Sequence, residues 1–116
     1  MANKYKNAKL DLTTTNNTVL YTVPAETVTI VKSIRVSNDS SSQDTVTFTI
    51  TDTGDGVYSL VKLANVDPLS TEELLSMPLI IDESEIIKCQ ATTANRLHVI
   101  ASVSYTHLTL PTTTPV

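Results

Sequence analysis

The chain has 116 residues, 41% of them hydrophobic, and a net charge of −4 from 8 basic and 12 acidic side chains. That length suits one domain with its own core, and that hydrophobic content excludes a disordered chain. The acidic balance, with basic residues thinly spread, argues against nucleic acid as a partner, and no apolar run approaches the roughly 18–20 residues of a membrane-crossing helix.

Twenty threonines and frequent Val and Ile favour pleated strands over helices. The only glycines, Gly54 and Gly56, cannot build a Gly-rich phosphate loop. Cys89 stands alone, so no intrachain disulfide forms, and its spacing from Ile87 and Ala91 makes it a core residue rather than a reactive thiol. The opening MANKYKNAKL has no apolar h-region, so no secretory signal is expected and the chain is expected to remain in the cytoplasm that makes it.

In chain order, residues 1–8 read as a flexible polar arm, and the basic cluster Lys4, Lys6 and Lys9 is solvated or tethers an acidic partner. Residues 9–13 alternate Leu10 and Leu12 as a first edge strand, and 14–17 turn. Residues 19–37, VLYTVPAETVTIVKSIRVS, give two strands around a Pro24-Ala25-Glu26 corner, where Pro24 fixes φ and has no N–H for a ladder. In the second strand Val28, Ile30, Ile34 and Val36 share an apolar face, but Val31 and Lys32 break the period of two. Either a β-bulge flips the pattern there or Lys32 marks where the strand leaves the core.

Residues 38–44, NDSSSQD, form a polar loop. Residues 45–51 alternate Val46, Phe48 and Ile50 inward with four threonines outward. DTGDG, residues 52–56, is a hairpin turn, since Asp-Gly supports positive φ, and it lacks the spacing of a calcium loop. Residues 57–63 form the partner strand. Residues 70–76 fit either a short helix, with Ser70 and Glu73 as a capping box, or a short strand before Pro78. Residues 78–81, 85–92 and 96–103 are the remaining strands, with Ile87, Cys89, Ala91, Leu97, Val99, Ala101 and Val103 inward. Residues 104–116 lack the alternation, and the string SYTHLTLPT resembles translated sequencing-adaptor read-through of the kind met in environmental assemblies. They are expected to be a non-native or disordered tail, the alternative being a genuine polyproline-like extension.

The segment LYTVPAETVTIVKSIRVSN resembles a family of small tailed-bacteriophage virion proteins. The likeness runs through Leu20 to Ala25, Ile34, Val36 and Asn38, then Thr45-Val46-Thr47. It continues through residues 58–62, Leu74-Leu75 before Pro78-Leu79, and Ala94-Asn95 with Leu97, Val99 and Ile100, so it spans roughly residues 15–103. Glu26 occupies a position where that pattern carries Gly. The resemblance favours a strand at 70–76 and implies a structural role with no transferable catalytic residue.

Searching the residues for chemistry returns little. His98 and His107 are the only histidines, His98 falls mid-strand, and with one cysteine they offer no zinc spacing. The acids cluster at Glu72-Glu73 and Asp82-Glu83-Glu85, the pattern of solvated turns rather than of paired glycosidase carboxyls. With no Trp, one Phe and four Tyr, of which Tyr21 and Tyr58 are expected to pack, aromatic platforms for sugars are scarce.

The expected fold is all-β: an antiparallel two-sheet sandwich of eight or nine short strands, jelly-roll-like or Ig-like, over residues 9–103. Its expected core is Val28, Ile30, Ile34, Val36, Val46, Phe48, Ile50, Ile87, Cys89, Leu97 and Val99. The expected function is a non-enzymatic virion structural protein, as capsid decoration or a neck, tail or fibre component, assembled in the host cytoplasm. It would act through contacts with other virion proteins and possibly with its own copies. No catalytic, cofactor-binding or metal residue is expected, and neither nucleic acid nor membrane as a partner. The alternative is a glycan- or receptor-binding module, which would be marked by exposed tyrosines clustered with Asn or Asp on one rim.

Overall fold

The computed structural model describes residues 3–107, and among these every regular element is a strand. The strands are β1 (Asn3–Asp11), β2 (Thr18–Thr22), β3 (Thr27–Asn38), β4 (Asp44–Thr51), β5 (Val57–Val66), β6 (Thr71–Glu73), β7 (Leu79–Ile81), β8 (Ile86–Ala91) and β9 (Leu97–His107). They form two antiparallel sheets. One runs β1-β9-β3-β6, with β7 also paired to β3; the other runs β2-β8-β4-β5.

The pairings are nested. β4 pairs with β5, β3 with β6 and β7, β2 with β8, and β1 with β9. The chain is therefore one long hairpin, folded at residues 52–56 and rolled into a sandwich, which is the topology of a jelly roll. Residues 70–76 contribute the short strand β6 and no helix. The core between the sheets is filled from both inner faces: Phe48 and Val46 from β4, Ile87, Cys89 and Ala91 from β8, Leu97, Val99, Ala101 and Val103 from β9, and Ile34 and Val36 from β3, all essentially buried.

The long strand β3 corrects the expected core. Along β9, Val31 pairs with Val103 and Ser33 with Ser102, leaving Lys32 as an extra residue. This bulge shifts the alternation by one. Beyond it Ile34, Val36 and Asn38 point inward; before it Thr27, Thr29 and Val31 do, all buried. Val28 is only half-buried and Ile30 is 37% exposed, so neither belongs to the core. Ile50 is partly buried against the core rather than enclosed by it.

The first and last strands reach further along the chain than expected. Residues 3–8 are no free arm: they lie in β1, registered against β9 from Asn3–Thr106 to Asp11–His98. A lysine-bearing strand is what a sheet edge tolerates, because charges there discourage pairing with another chain. Residues 104–107 extend β9 between β1 and β3 instead of starting the tail, and the remainder of that expected tail, 108–116, lies outside the described residues.

Several turns use positive φ on residues other than glycine. Glu26, at the corner between β2 and β3, has φ 56, so it adopts the left-handed conformation a glycine would favour there. In the hairpin turn the left-handed residue is Asp55, φ 66, whereas neither glycine has positive φ. Gly56 sits in a tight space: a Cβ there would lie 3.1 Å from Asp52 Oδ2 and from the Tyr58 ring and hydroxyl, so those side chains would have to give way.

Candidate functional site

The polar side chains with chemical potential are held by local structure, and three of them organise the backbone. Asn38, 2% exposed at the end of β3, donates from Nδ2 to the carbonyls of Ser42 (2.8 Å) and Val66 (3.0 Å). Its Oδ1 accepts from Ser40 N and Ser40 Oγ, both at 2.9 Å. The polar loop 39–43 is thus wrapped around one amide, each of whose groups is satisfied. Asp44, 4% exposed, accepts through Oδ1 from Thr45 N (2.8 Å) and Thr93 N (3.1 Å), tying the β8–β9 turn to the start of β4.

Glu73 fills a gap in the sheet. β6 pairs with residues 35–37 of β3 and β7 with residues 29–31, so no strand covers the bulge between them. The Glu73 carboxylate reaches into that space and accepts from Ile34 N (2.9 Å), Leu75 N (3.3 Å) and the Ser33 hydroxyl, with Arg35 Nε 3.6 Å away. Partial burial acts to raise its pKa, but these hydrogen bonds and the guanidinium outweigh it and leave the carboxyl below its ordinary value. Asp52 is likewise lowered, chiefly by the Gly56 N–H, which outweighs desolvation with the help of the Gly54 N–H and the Tyr58 side chain.

The remaining candidates are placed as follows. Cys89 is fully enclosed and burial pushes its thiol up to about 12, so at neutral pH it is protonated and shielded. His98 sits on the outer face of β9 with Nε2 3.4 Å from Asp11 Oδ1 on β1, beside a shallow depression of about 300 Å³ lined by Lys9, Leu10, Val99 and Ile100. His107 closes β9, opposite Thr27. Among the described residues no group of three or more His, Cys, Asp or Glu is arranged to hold a metal ion. Glu83 Oε2 accepts from Glu26 N (2.8 Å) and Glu85 Oε1 from Asp82 N (2.9 Å), so these acids secure turns. The tyrosines are dispersed: Tyr21 is buried with its hydroxyl 3.4 Å from Thr29 Oγ1, Tyr5 lies exposed on β1, and Tyr58, expected to pack, is 60% exposed on β5. The threonine row of β4 faces outward from the second sheet, half-covered, with Thr47 Oγ1 accepting from Leu63 N and Thr45 bonded to Thr92.

What the residue pattern did not announce is the outer face of the first sheet. One line across four strands runs Tyr5 (β1), Ser104 (β9), Ile30 (β3) and Ile80 (β7). Two lines on towards β6, past Asn7, Ser102 and Ser33, the same face carries Lys9, Ile100, Arg35 and Glu73. Tyr5, Ile30, Ile80 and Ile100 are all among the exposed large apolar side chains. The signal for this face lay in the break at Val31-Lys32: once the bulge is placed, Val28 and Ile30 must face away from the core.

No protein-family model and no curated protein matches the chain. Solved structures do. A chain from Bacillus endospore appendages, described as a novel family of disulfide-linked pili, superposes with a TM-score of 0.58 at 10% identity, covering 93% of this chain and 88% of that one. At this identity the likeness is one of fold. Chains from infectious bursal disease virus, Gt and Gx strains, overlap with TM-scores of 0.42 and 0.39 at 8% and 12% identity. This chain covers 30% and 38% of their lengths.

Proposed function

We propose that this protein is a non-enzymatic structural subunit of a multi-copy assembly, and specifically a virion protein of a tailed bacteriophage. The observation that carries the structural role is the distribution of polarity in β3 and its neighbours. Thr27 and Thr29 are buried while Val28, Ile30, Tyr5 and Ile80 are wholly or partly open to solvent, so part of the first sheet turns its apolar side outward. An exposed apolar sheet face suits a protein surface that is covered by another protein.

The edges support association through faces rather than by strand addition. β1 carries Lys4, Lys6 and Lys9, the opposite edge is broken into β6 and β7, β2 has five residues and one irregularity, and β5 has two. Each device discourages an incoming strand. The acids and the thiol that could have served catalysis hold turns, seal the bulge or lie protonated in the core. The phage assignment rests on the sequence resemblance over residues 15–103, with capsid, neck or tail proteins as partners.

An antibody raised against the chain, applied to the virus-sized fraction of the source sample, should label tailed particles at regular positions. Bare tailed particles with labelled cell bodies would overturn the phage assignment. Selective binding on a glycan array would replace the structural role with a receptor-binding one.

A further inference from the structure

We infer that the outer face of the first sheet is the contact between two copies of this chain, related by a two-fold axis running along the strands. This deepens the structural-subunit reading and rests on it. Two observations select the occupant and its orientation. The first is the apolar line Tyr5–Ile30–Ile80, with Ile100 on the same face beyond the polar line of Asn7, Ser102 and Ser33, which gives a surface able to cover a copy of itself.

The second is that charge is sorted across this face. On the β1 side Lys9 ends one line, the acid beyond it on that face, Asp11, lying against His98, and Lys32, the extra residue of the bulge, reaches over the Tyr5 ring with Nζ 5.5 Å from its centre. The β6/β7 side is acidic: Glu73 ends the line that Lys9 begins, and exposed Asp82 and Glu83 follow directly on β7. Turning a second copy about an axis parallel to the strands lays its β1 side over the first copy's β6/β7 side. Lys9 then faces the second copy's Glu73, twice over by symmetry. An axis across the strands would instead lay β1 on β1 and leave Lys9 and Glu73 apart, so the charges select the axis along the strands while the apolar line alone would not.

The geometry makes a trapping experiment decisive. Residues 5 and 80 lie at opposite ends of one line across four strands, about 14 Å apart at the usual strand spacing, too far for a disulfide within one chain. In the proposed dimer each Tyr5 position meets the other copy's residue 80. The full-length double variant Tyr5→Cys/Ile80→Cys, gently oxidised and run on a non-reducing gel, should cross-link at least tenfold more than either single variant. Adding Ile30→Lys or raising salt to 1 M should reduce that yield several-fold, while circular dichroism verifies that each variant is folded. Equal cross-linking by Tyr5→Cys alone, or no yield above the singles, would overturn the inference. Labelled particles together with absent 5–80 cross-links would sink the dimer alone, whereas bare particles would sink the phage reading and leave the dimer to its own test.

Discussion

The two halves of β3 are built from similar residues and behave oppositely. After Lys32, the larger aliphatic side chains Ile34 and Val36 point into the core and Arg35 points out, as period-two reading requires. Before Lys32, threonines point in and Ile30 points out. Arg35 aside, nothing in residues 33–37 differs in kind from residues 27–31. The difference is one inserted residue, and it shows that the face of a strand is a property of register rather than of composition.

The most severe way to break this comparison is to delete Lys32. Without the bulge the two halves cannot both keep their inward sets against β9, and exposing either set should cost on the order of 5 kcal/mol or more. Urea unfolding should find the variant largely unfolded, and near-normal stability would mean the bulge is dispensable. A gentler test compares Ile34→Ala with Ile30→Ala at dilution. The former empties a core position and should lose about 2–5 kcal/mol, the latter less than about 1 kcal/mol. Equal losses would place Ile30 in the core after all.

Glu73 sharpens the comparison because it occupies the seam between the halves. Glu73→Gln keeps the size but weakens the bonds to Ile34 N and Ser33, and for this half-exposed group the loss should be about 1 kcal/mol at neutral pH. Its folded pKa lies below the ordinary glutamate value of 4.5, so its contribution is complete above that value and fades as pH falls through the lower folded one. The acid limb of a stability–pH curve should therefore be shallower in the variant; an unchanged limb would show that the carboxylate is not what holds the seam. The smallest effect is expected at the corner leading into the strand. Glu26 holds φ 56, and Glu26→Gly should relieve that strain and raise stability by up to about 1 kcal/mol, read as a shift in the urea midpoint.

Much of the sandwich was legible where alternation ran unbroken. β4, β8 and most of β9 face as their residues dictate, and the turn at 52–56 falls where Asp-Gly pairs place it. Legibility failed wherever the physical cause lay in another strand. The lysines of residues 4–9 read as a solvated arm because the partner that orders them, β9, is about ninety residues away. Ser104 to His107 read as tail because their polarity suits a strand flanked by β1 and β3. Glu73 read as half of a capping box, since its true partners, Ser33 and Ile34, are specified only once the bulge exists. The outer apolar face was hidden for the same reason: it follows from the bulge and from which strands lie side by side.

The nested pairing also sets the order in which the fold can be reached. The β4–β5 hairpin closes across a five-residue turn, whereas β1 can meet β9 only after some ninety intervening residues have been gathered in. Loop-closure entropy is therefore met last by the strands at the two chain ends. Dominated by such distant pairings, the domain should fold in milliseconds to seconds rather than microseconds, from the central hairpin outwards. Until β1 docks, the flank of β9 stays open, and the lysines of β1 remain solvated through the slowest stage of folding.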